Sequence, residues 1–324
     1  MSSYNFLERQ LHNIVLSNRW LRESMFEFER SIFLKKDFPI KYNHVFIAGL
    51  ARSGTTTLLN AIYSSGDFGS LSYSDMPFLM SPNLWSLIYR NKSSKSPERA
   101  HQDGIKININ SPEAFEEVFW RTFYDKENLG QKFNDYVKLI LIQKNKLRYL
   151  SKNNQNVRRI DFLIEKLPKS FFLIPFRDPL QHCNSLLIQH KKFCHLAESD
   201  KFGSKYIDLI GHSEFGISYK PLIKDNIKHL DYFSLDHWLE QWRLTYENLL
   251  KKFANQENVI FICYEDLCDD INTWEKLKNK ISLPDSLKYE FIESKKDIKK
   301  RFSSNLKNDC YDIYRKLKDQ CLKN

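Results

Sequence analysis

The sequence predicts one α/β domain in three layers, with a central parallel sheet and extra helices at both termini. Short apolar runs rich in β-branched and aromatic residues recur along the chain, and stretches of helical periodicity separate them. Strands that alternate with helices form a parallel sheet covered on both faces. No glycine follows Gly216, so no flexible linker is expected there. We therefore expect a single domain over 1–324, with a helical arm at 1–41, a core at 45–266 and a C-terminal helical region at 267–324.

The elements of this domain follow from local patterns. The arm interleaves apolar and charged residues, which is typical of amphipathic helices. A helix is expected to begin at Ser111, because Ser111, Pro112 and Glu113 suit the N-cap and first turn. Strands are predicted at 45–49, near 71–73, at 105–109 (strand or extended segment), 170–176 and 259–263. Further helices are predicted over 55–64, 136–150, 160–166, 180–193, 236–253 and 308–321.

The net charge and the composition limit which classes of binding partner are expected. The 50 basic and 40 acidic residues give a net charge of +10, which favours anionic ligands, although a solvated lysine-rich surface explains it equally well. No motif that reads DNA or RNA accompanies the charge, so nucleic acid is not expected. No segment approaches the roughly 20 apolar residues of a membrane helix, but the amphipathic arm leaves peripheral membrane contact open. The oligomeric state stays open too.

The six cysteines show no metal-ligand spacing. Cys183, Cys194, Cys263, Cys268, Cys310 and Cys321 include no Cys-x-x-Cys pair. Thiols without a metal or disulfide pattern are typical of a reducing compartment. We therefore expect reduced thiols, a cytoplasmic location and no bound metal.

The most informative segment is the glycine-bracketed turn after the first predicted strand. Gly49 and Gly54 have the spacing of a Walker phosphate loop, and an apolar-periodic helix follows. Backbone amides of such a turn and the helix N-terminus attract anions. However, Thr55 stands where a Walker loop has the lysine that serves the β- and γ-phosphates. Arg52 is the basic residue of this turn.

A second candidate phosphate site follows the strand at 170–176. Arg177-Asp178-Pro179 comes directly after this strand, and Ser185 lies eight residues beyond Arg177. A basic residue at a strand end and a hydroxyl two helical turns on can hold one phosphate from two sides. Ligands of doubly wound sheets bind at the carboxyl ends of strands, where both segments are expected to lie.

These two motifs resemble those of the sulfotransferases that use 3′-phosphoadenosine 5′-phosphosulfate. That family reads Pro-(Lys/Arg)-Ser-Gly-Thr-Thr in the loop, with Ala51 here in place of the proline, and Arg-(Asp/Asn)-Pro-x5-Ser later in the chain. Tyr264-Glu265-Asp266 matches a further element, and the details look most like the bacterial carbohydrate-type branch. The resemblance implies a P-loop-like fold with this nucleotide as co-substrate. It implies that the 5′-phosphosulfate binds Arg52, Ser53, Gly54, Thr55, Thr56 and Thr57, and that the 3′-phosphate binds Arg177 and Ser185.

The resemblance also implies the reaction, which is transfer of a sulfuryl group to an acceptor hydroxyl or amine, on a saccharide or glycolipid. Arg52 and Lys152, which lies between the two motifs, would stabilise developing charge without a metal. The general base is either Asp75 or His101, with Asp75 preferred, because both types of side chain can accept a proton near neutral pH.

Two other functions remain compatible with the residues. One is a P-loop kinase or nucleoside triphosphatase with a degenerate loop. The other is a non-catalytic α/β module that binds anions through its lysines. The family's Arg-Lys-Gly lid segment has no counterpart here; the C-terminal region offers only the basic stretch 295–301.

Overall fold

The computed structural model describes residues 6–34, 39, 41, 43–88, 109–225, 227–293, 295, 297–298 and 301–322. The strands are β1 (Val45–Ile47), β2 (Phe68–Gly69), β3 (Arg148–Lys152), β4 (Phe171–Phe176) and β5 (Val259–Cys263). The helices of the first half are α1 (Phe6–Ser17), α2 (Arg19–Phe33), α3 (Thr55–Tyr63), α4 (Pro82–Ile88), α5 (Glu117–Phe123) and α6 (Leu129–Lys144). Those of the second half are α7 (Ile160–Lys166), α8 (Pro179–Ser199), α9 (Lys201–Leu209), α10 (Leu235–Phe253), α11 (Tyr264–Asp269), α12 (Ile271–Lys280) and α13 (Ser304–Gln320).

The strands form one parallel sheet in the order β2-β3-β1-β4-β5. β1 lies at the centre, where Val45 is opposite Leu150 of β3 on one side and Phe171 of β4 on the other. The chain leaves β1 towards β3 and β2 and later returns on the opposite side as β4. This reversal creates a crevice outside the carboxyl ends of β1 and β4, where sheets of this kind bind ligands.

Helices cover both faces of the sheet, because the strand side chains alternate between two apolar cores. Phe46, Tyr149 and Phe172 contribute to the core under α6, α8 and α10. Ile47 and Leu150 contribute to the other core, with α3 and α12. Side chains that alternate along buried strands require a helical layer on each side. The predicted three-layer α/β/α fold with a central parallel sheet is confirmed.

The prediction of a helix over 136–150 is wrong in its second half. Asn145 ends α6 in the left-handed conformation, with φ of 52°, and the amide of Lys146 donates to the carbonyl of Leu141 at 3.0 Å. The chain then forms β3, which pairs with β1 and β2. Pairing with two distant strands overrides the local helical pattern there.

The helix predicted to begin at Ser111 begins instead at Glu117. Pro112 forms an antiparallel bridge with Ser72, and the amide of Glu113 donates to the carbonyl of Leu71 at 3.1 Å. The segment therefore extends the edge of the sheet beyond β2. The strand expected near 71–73 lies earlier, in β2, and Tyr73–Asp75 form a turn of 3-10 helix. Residues 105–108 of the predicted strand at 105–109 lie outside the described part of the chain.

The N-terminal arm consists of α1 and α2. Phe26 of α2 is fully buried and packs against aromatic side chains of α5 and α6. On α1, Phe6, Leu7 and Ile14 are 72%, 76% and 55% exposed. Peripheral membrane contact through this arm stays a prediction. Among the described helices, none is long and apolar enough to cross a membrane.

Candidate active site

The loop between β1 and α3 is built around Gly54, which caps α3 in the left-handed conformation with φ of 94°. A side chain at Gly54 would be strained by this φ, and its Cβ would lie 2.2 Å from the ring of Tyr264. The hydroxyl and amide of Ser53 both bond to the carbonyl of Leu50, at 2.8 and 3.3 Å, which closes the turn. Thr55, Thr56 and Thr57 form the first turn of α3, where amides have no acceptor within the helix. The loop therefore presents a helix N-terminus at the carboxyl end of the central strand, which suits an anion.

Arg177 follows β4 directly and lies against this loop. Its Nη1 donates to the carbonyl of Arg52 at 3.4 Å, and its guanidinium lies 5.4 Å from the ring centroid of Tyr264. Its Nε is 3.8 Å from Oε1 of Glu265, the same oxygen that accepts from the amide of Asp178 at 2.9 Å. Arg177 is 9% exposed, so these contacts hold the guanidinium in a defined place beside the loop.

The loop and α8 meet through the side chains of Arg52 and Ser185. Arg52 Nε donates to Ser185 Oγ at 3.3 Å across 133 residues of sequence. Asp178 caps α8, accepting from the amide of Gln181 at 2.9 Å, so Ser185 lies in the second turn of a well-formed helix. The structure thus brings together the two segments that the sequence singled out.

Lys152 ends β3, directly opposite Ile47 of β1 in the sheet register. Its Nζ lies 3.7 Å from Oε1 of Glu113, and both side chains are almost completely buried. Tyr73 donates its hydroxyl to Oε2 of Glu113 at 3.0 Å, and the amide of Ala114 donates to Oε1 at 2.9 Å. A buried cation and carboxylate therefore lie at the same edge of the sheet as the loop.

Glu113 is a candidate functional residue that sequence reasoning missed. The run Ser111-Pro112-Glu113 matched the start of a helix, so Glu113 was interpreted as a first-turn acid. Its contacts with Tyr73 and Lys152 join segments far apart in sequence. The one local signal was the acidic character of 113–117, which holds three glutamates.

Asp75, the preferred base from the sequence, is buried in a hydrogen-bonded cluster with other partners. Lys144 Nζ lies 2.7 and 2.9 Å from its two oxygens. The amide and hydroxyl of Ser72 donate to Oδ2 at 2.7 and 2.9 Å. These contacts explain Asp75 as a capping residue that fixes the turn at 72–75. The role of Asp75 as a base stays a prediction, and His101 lies outside the described residues.

A cavity of about 350 Å³ lies next to Glu265. Its lining includes the carboxylates of Asp178, Glu265, Asp269 and Glu293 and one cation, Lys295, which pairs with Glu293. Four carboxylates around one cavity repel phosphate groups, so this cavity is a poor match for an anionic nucleotide. The loop at Gly54, with its neighbouring cations, is the better candidate site. Among the described residues, no group of three or more His, Cys, Asp or Glu side chains could hold a metal ion.

The parallel sheet and the glycine-bracketed loop at its edge define a P-loop-like α/β protein. Comparison with known families is more specific, because the model of the Sulfotransferase family matches residues 44–277, which is more than half of the chain. The chain belongs to the sulfotransferase family and is an enzyme of the sulfotransferase type. The match covers the loop, Lys152, Arg177, Ser185 and Glu265.

A solved sulfotransferase structure shares the fold. Sulfotransferase STF1 from Mycobacterium tuberculosis H37Rv aligns with a TM-score of 0.52 and 11% identity, over 98% of this chain and 86% of that one. Sulfotransferase STF9 from Mycobacterium avium aligns with a TM-score of 0.49 and 10% identity, over 100% of this chain and 83% of that one. No curated protein sequence matches the chain.

Proposed function

We propose that the protein transfers a sulfuryl group from 3′-phosphoadenosine 5′-phosphosulfate to an acceptor hydroxyl or amine. One observation carries this proposal: Arg52 lies in the amide loop, Arg177 contacts that loop, and Lys152 ends the neighbouring strand at the same edge of the sheet. The donor has a phosphosulfate and a separate phosphate, which require two anion sites close together. The loop supplies the first, and Arg177 with Ser185 supplies the second.

The same residues disfavour a nucleoside triphosphate. Thr55 stands where a Walker loop has its lysine, so the loop lacks the cation that serves the β- and γ-phosphates. Arg177 and Ser185 flank the loop on the α8 side, where a 3′-phosphate on the ribose would have two polar partners. A kinase with a degenerate P-loop would not need a second, separate phosphate site.

Charge stabilisation is the main catalytic contribution that these side chains can make. Sulfuryl transfer needs in-line geometry and relief of the negative charge that develops on the leaving phosphate. Arg52 belongs to the loop that would hold that phosphate. Lys152, on the neighbouring strand, would neutralise charge on the group in transfer. No metal is needed in this scheme.

Among the described residues, Glu113 is the best placed to take the proton from the hydroxyl or amine that receives the sulfuryl group. It lies 3.7 Å from Lys152, so a candidate base lies beside the cation that would neutralise charge on the transferred group. The hydroxyl of Tyr73 and the amide of Ala114 hold the carboxylate in one orientation. Asp75, whose oxygens bond to Lys144 and Ser72, is less suited to leave its cluster for this task.

We further propose a saccharide or glycolipid acceptor, on the resemblance to the carbohydrate-type branch, and a cytoplasmic location, on the cysteine pattern. A screen of radiolabelled donor against saccharides, glycolipids and phenols tests the first. Fractionation of the source cells tests the second.

Calorimetry with adenosine 3′,5′-bisphosphate, the product nucleotide, tests the reaction class. We expect saturable binding of the bisphosphate that is much tighter than binding of ATP with magnesium. Tight ATP binding without bisphosphate binding would favour a kinase or triphosphatase. Polyanion binding with a steep salt dependence and no saturable nucleotide site would favour a non-catalytic anion-binding module.

A further inference from the structure

His182 is a buried histidine on α8 that has no part in the transfer chemistry described above. Its side chain is fully buried, three residues before Ser185, and its Nε2 lies 2.8 Å from the carbonyl oxygen of Ala51 in the loop. Burial, together with the nearby charges of Arg177 and Arg52, lowers the pKa of His182 to about 3. The ring is therefore neutral at physiological pH. Since a carbonyl only accepts, the single proton of the neutral ring lies on Nε2, and Nε2 donates.

The other ring nitrogen makes a histidine costly at this position. Nδ1 of His182 is buried and has no hydrogen-bond partner among the residues that the structure describes. A buried polar atom without a partner is unfavourable, and an aliphatic side chain would avoid it. At this position a histidine can donate a hydrogen bond to the carbonyl of Ala51, and a leucine cannot.

The bond to Ala51 controls the direction of the loop backbone. In a planar trans peptide the carbonyl and the following amide point in opposite directions. A carbonyl of Ala51 held towards α8 therefore turns the amide of Arg52 away from α8. The flanking carbonyls are held too, that of Leu50 by Ser53 and that of Arg52 by Arg177.

Arg52 needs this support, because its φ of 70° lies in the left-handed region. A residue with a side chain adopts that region at a cost and keeps it only when its surroundings fix it. His182 on one side of Arg52 and Arg177 on the other supply two such constraints. A loop freed from one of them would sample more backbone conformations before it met its ligand.

We propose that His182 is a positioning residue, which holds the Ala51 carbonyl so that the amide and side chain of Arg52 are set for the 5′-phosphate of the nucleotide. This inference rests on the proposed function. In this proposal His182 does not contact the ligand. A substitution at His182 should therefore change only the part of the affinity that the 5′-phosphate contributes.

Two nucleotides isolate that contribution. The affinity ratio between adenosine 3′,5′-bisphosphate and adenosine 3′-monophosphate, measured by calorimetry, reports the 5′-phosphate alone. His182→Leu should lower this ratio about tenfold, the scale of one hydrogen bond, and leave the affinity for the monophosphate within about twofold. His182→Gln should restore most of the ratio, because its amide nitrogen can occupy the position of Nε2.

Two controls separate positioning from folding. His190→Leu makes the same change at a second buried histidine of α8, whose Nε2 contacts Cys194 instead of the loop, and it should leave the ratio unchanged. His182→Asn keeps an amide but places its nitrogen near the position of Nδ1, so it should resemble His182→Leu. The Gln and Asn variants carry the test even if the leucine variant does not fold.

A wild-type ratio in His182→Leu, or equal ratios in the Gln and Asn variants, would overturn the inference while leaving the proposed function intact. An equal loss in His190→Leu would also overturn it. Failure of the wild-type protein to bind the bisphosphate would refute the proposed function itself, and this inference with it.

Discussion

Arg52 Nε donates a hydrogen bond to Ser185 Oγ at 3.3 Å, and this contact joins the loop between β1 and α3 to α8. The two residues are 133 positions apart in the chain. Arg52 is thus held between a hydroxyl at its side chain and Arg177 at its carbonyl. A ligand with two phosphate groups would meet both motifs at once.

Removal of the Ser185 hydroxyl tests the proposed role of Ser185 at the 3′-phosphate. Ser185→Ala should weaken binding of adenosine 3′,5′-bisphosphate about three- to tenfold, because one hydrogen-bonding group beside the 3′-phosphate is lost. Adenosine 5′-monophosphate, which has no 3′-phosphate, is the control ligand and should bind as it does to the wild-type protein. Calorimetry with both ligands gives the answer. A loss for both alike would place Ser185 at the 5′-phosphate, contrary to its assigned role.

Arg177 should contribute more, because a contact between its guanidinium and the 3′-phosphate would be charge-assisted. Arg177→Ala is expected to weaken bisphosphate binding by about 1.5–3 kcal/mol, or roughly 10- to 150-fold in Kd. Lys191→Ala removes the same charge from an exposed position on α8 and should change Kd little. Thermal unfolding must show that both variants are folded. Equal effects of the two variants would mean that Arg177 acts only through the net charge.

Lys152 should affect turnover more than binding. Its charge is needed most where negative charge develops in the transition state, so Lys152→Met should lower turnover about 100- to 1000-fold. The Kd of the bisphosphate should change about tenfold or less. Turnover can be followed as sulfate released from radiolabelled donor, to water or to an acceptor found by screening. Lys169→Met, at an exposed lysine, is the control. Parallel losses of turnover and affinity would indicate a role in ground-state binding.

The sequence predicted the parts of this site whose signals are local. The loop at Gly49–Gly54 and the Arg177-Asp178-Pro179 turn combine a strand, its end and a helix start within about a dozen residues, so their form follows from backbone chemistry. The assignment of phosphates to these segments came from the resemblance to the sulfotransferases. The family is confirmed by the match over residues 44–277, whereas the individual roles stay predictions.

The parts that the sequence did not predict depend on distant partners. β3 contains Arg148 and Lys152 and lacks a clear strand pattern; its pairing with β1 and β2 makes it a strand. Asp75 resembled a catalytic carboxylate because nothing near it in sequence shows the ion pair with Lys144. Glu113 resembled a helix-start residue for the same reason. Local patterns specify backbone turns, but contacts across the sheet decide which buried charges meet.

Buried neutral histidines should make the fold sensitive to acid. Burial lowers the pKa of His44 to about 4, with a further contribution from Arg148, and it lowers the pKa of His190 to about 4. The ordinary pKa of a histidine is 6.5. Below that pH, these histidines bind protons in the unfolded chain but not in the folded protein. Stability is therefore complete above pH 6.5 and falls as the pH drops towards 4.

His190→Leu should reduce that loss. From the linkage relation, one such histidine costs on the order of 2 kcal/mol between pH 7 and pH 5. Urea unfolding at the two pH values should show a correspondingly smaller difference for the variant than for the wild-type protein. An unchanged pH dependence would mean that His190 is protonated as readily in the folded state as in the unfolded one.

The identity of the base is decided by two matched substitutions, Glu113→Gln and Asp75→Asn. Each keeps the size of the side chain and part of its hydrogen bonding but removes its ability to accept a proton at neutral pH. If Glu113 takes the acceptor's proton, Glu113→Gln should keep bisphosphate affinity and lower turnover about 100-fold or more, the usual scale for a general base. Asp75→Asn should lower the melting temperature, because it breaks the buried pair with Lys144, and leave turnover per folded molecule near wild type.

The pH profile distinguishes a base from a residue that only orients Lys152. Loss of a base removes the acidic limb of the turnover profile, whereas misplacement of Lys152 lowers the whole profile without changing its shape. Turnover lost in Asp75→Asn but retained in Glu113→Gln would restore Asp75 as the base. If both variants keep full turnover, neither carboxylate is required, and charge stabilisation by Arg52 and Lys152 must account for the catalysis.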